Sequence, residues 1–193
     1  MKFTKIPTNT FSHLQMNAGI MLTTFNTEDG SYEAENILGA TTGGLNVTLT
    51  PTFSDFGEDI DNCPKNTKEL KRIDDYEAKI SGTFVTASKE LVKRLAVAAE
   101  LSGNKVTPRN TLNNSDFADL YWVGDYTNVN DGTNAGFIAI KLMNALSTGG
   151  FQIQTTDKGK GQFAFEFTGH YSIDAQDIVP LEIYVKEGTT VNG

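Results

Sequence analysis

The stretch that decides the fold class is Tyr76-Glu-Ala-Lys-Ile-Ser-Gly-Thr-Phe84. Every second residue in it is apolar or small, namely Tyr76, Ala78, Ile80, Gly82 and Phe84. A period of two places successive side chains on opposite faces of a β-strand. One face is then apolar and the other polar, which is typical of antiparallel sheets that bury one side and hydrate the other.

The same alternation recurs on both sides of this stretch. It predicts strands whose apolar faces carry Leu45, Val47 and Leu49; Ile138, Ile140 and Leu142; Phe163, Phe165, Phe167 and Tyr171; and Leu181, Ile183 and Val185. Weaker candidates are 17–26, 118–126 and 151–155. Turn-forming sequences separate the strands, namely Asp29-Gly30, Gly43-Gly44, Asp131-Gly132, Gly149-Gly150 and 158–161. The chain is therefore expected to be mainly β, as an antiparallel β-sandwich or barrel.

One segment has helical spacing instead. Residues 88–101 place Leu91, Leu95, Ala98 and Ser102 on one stripe. Ser88 is a good N-cap, and Gly103 stands where a helix would stop. The sequence predicts one α-helix that flanks an open face of the sheet.

A long segment, 50–72, interrupts the strands and is predicted to be an inter-strand loop. Its first half is acidic, through Asp55, Glu58, Asp59 and Asp61. Its second half is basic, through Lys65, Lys68, Lys71 and Arg72. Loops this long are uncommon inside compact domains and are usually functional or disordered.

Composition limits the function classes. The chain has 193 residues, which suits a single domain over 1–193 with an N-terminal arm at 1–16 and a flexible tail at 187–193. The formal net charge of −8 argues against tight binding to nucleic acid, which needs basic patches. The lone Cys63 excludes an internal disulfide and fits a reducing cytoplasm. No secretory h-region and no apolar run of membrane-spanning length is present.

No residue pattern indicates catalysis, a metal or a cofactor. His13 and His170 lack an evident acid–base partner and are interpreted as ordinary surface or interface residues. An EF-hand needs glycine at the sixth position and glutamate at the twelfth, but counting from Asp55 these are Ile60 and Asn66. There is no G-x-S-x-G elbow and no phosphate-binding loop. We therefore expect a protein that is not an enzyme.

Four stretches, in this order, resemble the major tail tube protein of long-tailed bacteriophages and prophages. They are Ile37-Leu-Gly-Ala-Thr-Thr-Gly-Gly-Leu-Asn-Val-Thr-Leu49; the charged loop 52–72 leading into Ile80-Ser-Gly-Thr-Phe-Val-Thr-Ala87 and the helix; Lys160-Gly-Gln-Phe-Ala-Phe-Glu-Phe-Thr-Gly-His-Tyr171; and Ile178-Val-Pro-Leu-Glu-Ile-Tyr184. The resemblance covers about 37–184. The most specific part is the glycine-led strand to His-Tyr, followed by the Pro-x-Glu-Ile-Tyr strand.

The resemblance implies a phage tail tube fold, a β-sandwich flanked by one helix, without cofactor or active site. Six copies would form a ring, and stacked rings would make a tube through which DNA passes without specific binding. Other expected partners are the tape measure, tail tip and terminator proteins, with no membrane. The location implied is the virion tail, after assembly in the cytoplasm of a bacterial host.

The long loop is expected to reach toward neighbouring copies, since its two charged halves can dock on complementary patches. The predicted interface residues are Phe53, Asp55, Phe56, Glu58, Asp59, Asp61, Lys65, Lys68, Leu70, Lys71 and Arg72. Exposed charge pairs contribute little, so the apolar members are expected to provide most of the stability.

Two alternatives stay open. One is the inner tube protein of a contractile tail or injection machine, which shares this architecture. The other is a monomeric β-sandwich module that binds carbohydrate, for which Tyr121 and Trp122 are the aromatic platform available.

Overall fold

The computed structural model describes residues 4–7, 10–126 and 136–188. Within them lie strands β1 (Gln15–Leu22), β2 (Thr41–Asp55), β3 (Lys71–Phe84), β4 (Ala99–Ser102), β5 (Lys105–Pro108), β6 (Ala118–Tyr126), β7 (Gly136–Ser147), β8 (Phe163–Thr168) and β9 (Leu181–Lys186), and helix α1 (Lys89–Leu95). Short 3-10 turns occupy Thr10–His13, Ala34–Asn36, Lys68–Leu70 and Asn114–Asp116. The prediction of a mainly β, antiparallel fold with one α-helix is confirmed.

Two layers of sheet share strand β7. One edge of β7 pairs with β6, and β6 pairs with β1. The other edge pairs first with β9, over Phe137–Leu142, and then with β8, at Leu146 and Ser147. β8 continues into β3 and β2. The first layer is therefore β1-β6-β7-β9, and the second layer is β2-β3-β8.

The main core lies between the layers, with α1 against one side. Its buried side chains are Met21, Leu38, Ala78, Ile80, Phe84, Leu91, Leu95, Leu120, Leu142, Ala145, Phe163, Phe165, Phe167 and Leu181. From the apolar faces predicted for β3 and β8, this set includes Ala78, Ile80 and Phe84 and also Phe163, Phe165 and Phe167. Phe84 and Phe165 stack with ring centroids 4.3 Å apart.

β7 is buried on both faces, which its alternation does not reveal. Phe137 and Ala139 lie on the face away from the main core and pack with Leu22 and Phe25 in a second cluster. The ring of Phe25 meets that of Phe137 edge-on at 5.1 Å. The chain that follows β1 therefore covers the outer side of the first layer.

The helix is shorter than predicted, ending at Leu95 rather than reaching 101. Ser88 is the N-cap as expected, since its Oγ accepts the Leu91 N–H at 3.0 Å. Val97 then takes φ 70°, and Ala99–Ser102 pairs with β5. The β4–β5 pairing overrides helical propensity here, and Gly103, at φ 62°, serves as a hairpin turn instead of a helix stop.

The predicted loop 50–72 is also too long, because β2 runs to Asp55 and β3 begins at Lys71. Pro51 does not break β2. It pairs with Tyr76, whose N–H points away from β2 to Tyr171 Oη at 2.9 Å. The missing N–H of Pro51 therefore faces the open edge of β2, where no ladder bond is lost.

Smaller corrections concern turns and weak strands. Gly43 and Gly44 lie inside β2, at a register shift between Thr42 and Leu45, and not in a turn between strands. Their φ values of 75° and 81° suit glycine at a bulge. Residues 151–155 form no strand, only a bridge from Gln154 to Gln162. Asp131-Gly132 and the tail from 189 lie outside the described residues.

Candidate functional site: the β2–β3 hairpin

The outer part of the β2–β3 hairpin is paired only with itself. β8 pairs with β3 over Lys79–Phe84 and stops there. Residues 49–55 and 71–77 therefore form a two-stranded ribbon, here called the distal hairpin, closed by the loop 56–70. At about 3.4 Å per residue, the ribbon extends roughly 20 Å beyond the sheet.

The core-facing side of the second layer continues onto this ribbon without a cover. On β2, Leu45 and Val47 pack against the main core, whereas Leu49 is exposed. Farther out, Phe53 is paired with Ile73, and these side chains are 51% and 44% exposed. The apolar alternation of β2 and β3 therefore continues along the strands beyond the part that the first layer buries.

The opposite side of the ribbon is polar and is held by contacts across the strands. The hydroxyl of Thr52 donates to the Asp75 carboxylate, and that of Ser54 donates to Asp74. These hydrogen bonds stabilise a pair of strands that would be only marginally stable in isolation.

The base of the ribbon is braced from the chain after β8. Tyr171 Oη accepts the N–H of Tyr76, and Gly169 N–H donates to the carbonyl of Ala78 at 2.9 Å. Tyr171 was predicted to extend the apolar face of β8, but β8 ends at Thr168. Its role is to complete the edge of β3 where β8 leaves it.

Asp55 organises the loop 56–70. Its carboxylate accepts the N–H groups of Gly57 and Asn66, each at 2.9 Å. These two backbone hydrogen bonds hold the pKa of Asp55 below its usual value, and the bond from Gly57 contributes most. The loop closes where Phe56 N–H donates to the Leu70 carbonyl at 3.0 Å, so the insertion is ordered by its own contacts.

Within the described residues, no ion pair joins the acidic half of the hairpin to its basic half, although, besides the amide of Gly57, the charges of Lys71 and Lys65 contribute to lowering the pKa of Asp55. Lys68 pairs with Glu69 at 3.4 Å and Arg72 with Asp74 at 3.2 Å, both within the basic half. Within the described part of the chain, no ion pair involves the exposed acidic side chains, Glu58, Asp59 and Asp61, or Lys65. Both signs stay available at the tip.

Two aromatic side chains at the tip make cation–π contacts with basic side chains. The ammonium of Lys71 lies 4.7 Å from the ring centre of Phe53, and the guanidinium of Arg72 lies 5.4 Å from that of Phe56. Phe56 is 57% exposed. Each aromatic thus offers an apolar ring beside a positive charge.

The predicted interface residues therefore fall into two groups. Asp55 and Leu70 support the loop from within, since the first is bonded to backbone amides and the second lies against Gly57. The others are all exposed and remain candidates for contact. Leu49, Ile60 and Ile73 are exposed apolar residues that the sequence reading missed. The alternation marked Leu49 as apolar, but only the register reveals that nothing covers it.

Within the described residues, the outer edges of β2 and β9 are open, since each strand pairs with one neighbour only. The outer edge of β1 is covered at its end, where Leu22 bridges to Ile37 and the Leu38 N–H donates to the Met21 carbonyl at 2.9 Å. Open edges present unpaired N–H and C=O groups and promote pairing with another chain. On β2 the bulge at Gly43-Gly44 and the proline at 51 limit that pairing to 45–50.

β9 exposes an apolar surface that was predicted to be buried. Leu181 is 8% exposed and belongs to the core, but Ile183 and Val185 on the same side are 60% and 56% exposed. They pair with Ile140 and Ile138 of β7. The second layer does not extend far enough to cover this corner of the first layer.

The histidines make local contacts. His170 Nδ1 lies 3.1 Å from the carbonyl oxygen of Asn144, and its ring meets Phe117 edge-on at 5.2 Å. It borders an open groove of about 440 Å³ that Asp174 also lines. His13 Nε2 lies 3.5 Å from Glu187. In the described ranges, no three His, Cys, Asp or Glu side chains converge as a metal site.

Tyr121 and Trp122 do not form one aromatic platform, because they lie on opposite faces of β6. Trp122 packs toward the main core and donates from Nε1 to the Ala18 carbonyl at 3.0 Å. Tyr121 packs with Phe25 in the second cluster. The feature on which the carbohydrate-binding alternative depended is not present.

No protein-family model and no curated protein matches the chain. Across the described ranges, none of the helices is both long and apolar enough to cross a membrane.

Proposed function

We propose that this chain is a structural subunit that assembles with copies of itself into stacked hexameric rings, forming the tail tube of a bacteriophage. The observation that carries the proposal is the distal hairpin, whose apolar side extends the core face of its layer but is left uncovered. The resemblance to tail tube proteins supports the same function.

An uncovered apolar side next to an open strand edge favours association. Contiguous exposed apolar surface on a folded chain commonly marks an interaction site. Because the hairpin and the open edges are different surfaces, a contact between them is head-to-tail, and such contacts close into rings when the rotation allows. Edges that would promote aggregation are then satisfied within the ring.

The polar side of the second layer suits the wall of a DNA channel. It carries small hydroxyl and amide side chains, namely Asn46, Thr48, Ser81, Thr83 and Thr168. Its cations are paired: Lys79 with Glu77 at 2.6 Å and with Glu166 at 3.9 Å, and Arg72, farther out on the hairpin, with Asp74 at 3.2 Å. A surface with so little free positive charge holds phosphate weakly, so DNA would slide past it.

In this proposal the partners are further copies of the chain, together with tape measure, tail tip and terminator proteins. The subunit would be assembled in the cytoplasm of a bacterial host and end in the virion tail.

Electron microscopy of the purified protein over a range of concentrations tests the proposal. We expect rings or tubes at high concentration. A variant with a shortened hairpin, in which Thr50 is joined to Glu77 by Asn-Gly, is expected to form neither. The new turn suits a two-residue hairpin and leaves the three-stranded part of the layer intact.

The control is circular dichroism and thermal unfolding of the shortened variant, which should retain a cooperative β fold. Single subunits of the full chain at every concentration, even with a tail initiator complex added, would refute the proposal. Normal tubes from the shortened variant would exclude the hairpin from assembly.

A further inference from the structure

Among the exposed apolar side chains of the described residues, two groups each continue the core side of their own layer. The hairpin face consists of Leu49, Phe53 and Ile73, with Lys71 at its outer end. The β9 face consists of the exposed Ile183 and Val185 beside the half-buried Ile138 and Ile140, with Glu187 at its outer end. The layers of the sandwich thus overlap only in part, and each layer has an apolar part that the other layer does not cover.

The β9 face belongs to the core side of the first layer because of its register. Leu120, Leu142 and Leu181 are paired across three strands and are all buried. The next row on the same side is Trp122, Ile140 and Ile183, in which the first two are half-buried and Ile183 on β9 is exposed. A sheet of another molecule placed here would extend the packing of the existing core.

The charges at the ends of the two faces are opposite. Lys71 is paired with Asp55 in the β2–β3 register, on the side of Phe53. The Asp55 carboxylate accepts the loop amides of Gly57 and Asn66, and the charge of Lys71 also contributes to lowering the pKa of Asp55. The Lys71 ammonium donates to Asn66 Oδ1 at 3.0 Å, and Lys71 stays exposed. Glu187 directly follows β9 and continues the side of Ile183 and Val185, and its side chain is 69% exposed although it contacts His13. One face therefore ends in a cation and the other in an anion.

We propose that the hairpin face of one copy packs on the β9 face of the next copy, with Lys71 of the hairpin beside Glu187 of the receiving copy. The proposal rests on the proposed function, since it names the surface that receives the hairpin in the assembly. Two sheets would meet face to face at about 10 Å, as the two layers do within one copy.

Charge selects this pairing over the symmetric ones. When the faces are aligned with their outer ends together, two hairpin faces would bring Lys71 of both copies together, and two β9 faces would bring both Glu187 side chains together. Like charges in one contact oppose association, whereas the head-to-tail contact pairs opposite charges. Because both faces are exposed in the same copy, they do not cover each other within it.

Crosslinking between differently labelled copies tests the contact. In a Cys63→Ser background that still assembles, chains carrying Phe53→Cys are mixed with chains carrying Ile183→Cys and treated with a short bis-maleimide. The matched control replaces the acceptor with Ile178→Cys, because Ile178 is similarly exposed, at 55%, but lies outside β9. We expect crosslinked dimers with Ile183→Cys and at least fivefold fewer with Ile178→Cys.

A charge exchange gives a second readout. Lys71→Glu and Glu187→Lys should each raise the concentration needed for assembly severalfold, and the double variant should restore it. Independent, additive effects of the two substitutions would overturn the pairing of these side chains.

The outcomes separate this inference from the proposed function. Rings or tubes in which Phe53→Cys crosslinks equally to both acceptors, to neither, or only to another Phe53→Cys chain would overturn the inference and leave the tube subunit standing. Failure of the unsubstituted chain to assemble at all would overturn both.

Discussion

The inner and outer halves of the β2–β3 hairpin belong to the same two strands but have different surroundings. In the inner half, Ile80 and Phe84 are fully buried and Leu45 packs against the main core. In the outer half, Phe53 and Ile73 occupy the same side and face solvent. The difference teaches that an alternating pattern encodes an apolar face without encoding what covers it.

The largest expected effect is on the stability of the single subunit, and it is seen by comparing substitutions of one isoleucine from each half. Ile80→Ala should destabilise the fold by about 2–5 kcal/mol, because it leaves a cavity in a core that cannot fully collapse. Ile73→Ala should change stability by less than about 1 kcal/mol, since its side chain is already partly hydrated. Urea unfolding at concentrations where sedimentation shows single subunits measures both.

Equal losses for these two substitutions would contradict the comparison, because the outer half would then be covered within one copy. The m-value serves as a control, since an unchanged slope shows that both variants unfold from the same compact state.

Assembly, unlike stability, should depend on the apolar side chains of the outer half. Phe53→Ser combined with Ile73→Ser is expected to leave the fold intact and to raise the concentration for tube formation about tenfold or more. Burial of one large apolar side chain contributes about 1.5–3 kcal/mol, and 1.4 kcal/mol is a factor of ten. Light scattering against concentration gives the value.

Thr50→Ala is the matched control for this double variant, because Thr50 is exposed on the polar side of the same ribbon. A comparable loss of assembly from Thr50→Ala would mean that the apolar side is not the one in contact.

The order of the loop at the tip should depend on the charge of Asp55. Its pKa in the folded loop lies below the ordinary value, because the amides of Gly57 and Asn66 bond to the charged form. The resulting stabilisation is present above the ordinary value and is lost as the pH falls below about 4 and through the lowered pKa. The protection factors of the amide hydrogens of residues 57 and 66, which are exchange rates normalised to the intrinsic rate at each pH, should fall there, and in Asp55→Asn at neutral pH.

Asp59→Asn provides the comparison, since Asp59 is exposed and accepts none of these amides. Unchanged exchange in Asp55→Asn would show that the loop is ordered by other contacts.

The smallest effect is expected from the acidic tip. Replacing Glu58, Asp59 and Asp61 together by their amides should shift assembly by no more than a few-fold, because exposed charge pairs contribute about 0–1 kcal/mol. The shift should shrink further at 1 M salt, where the screening length is about 3 Å. A larger, salt-independent shift would assign these carboxylates to a buried contact.

The sequence by itself determined the antiparallel β class, the apolar sides of β3 and β8 and the N-cap at Ser88. These follow from periods and capping chemistry, which act over a few neighbouring residues. It also marked 50–72 as unusual through its charge, although the interface role of those residues remains a prediction.

Only the tertiary structure decided the ends of elements and the burial of faces. Residues 99–102 became a strand because β5 pairs with them, and residues 50–55 stayed in β2 because β3 runs alongside. Ile183 and Val185 read as core residues but are exposed, whereas Phe137 and Ala139 are buried beneath Phe25. Periodicity is local, but coverage depends on where distant segments stop, and that is set by packing across the whole fold.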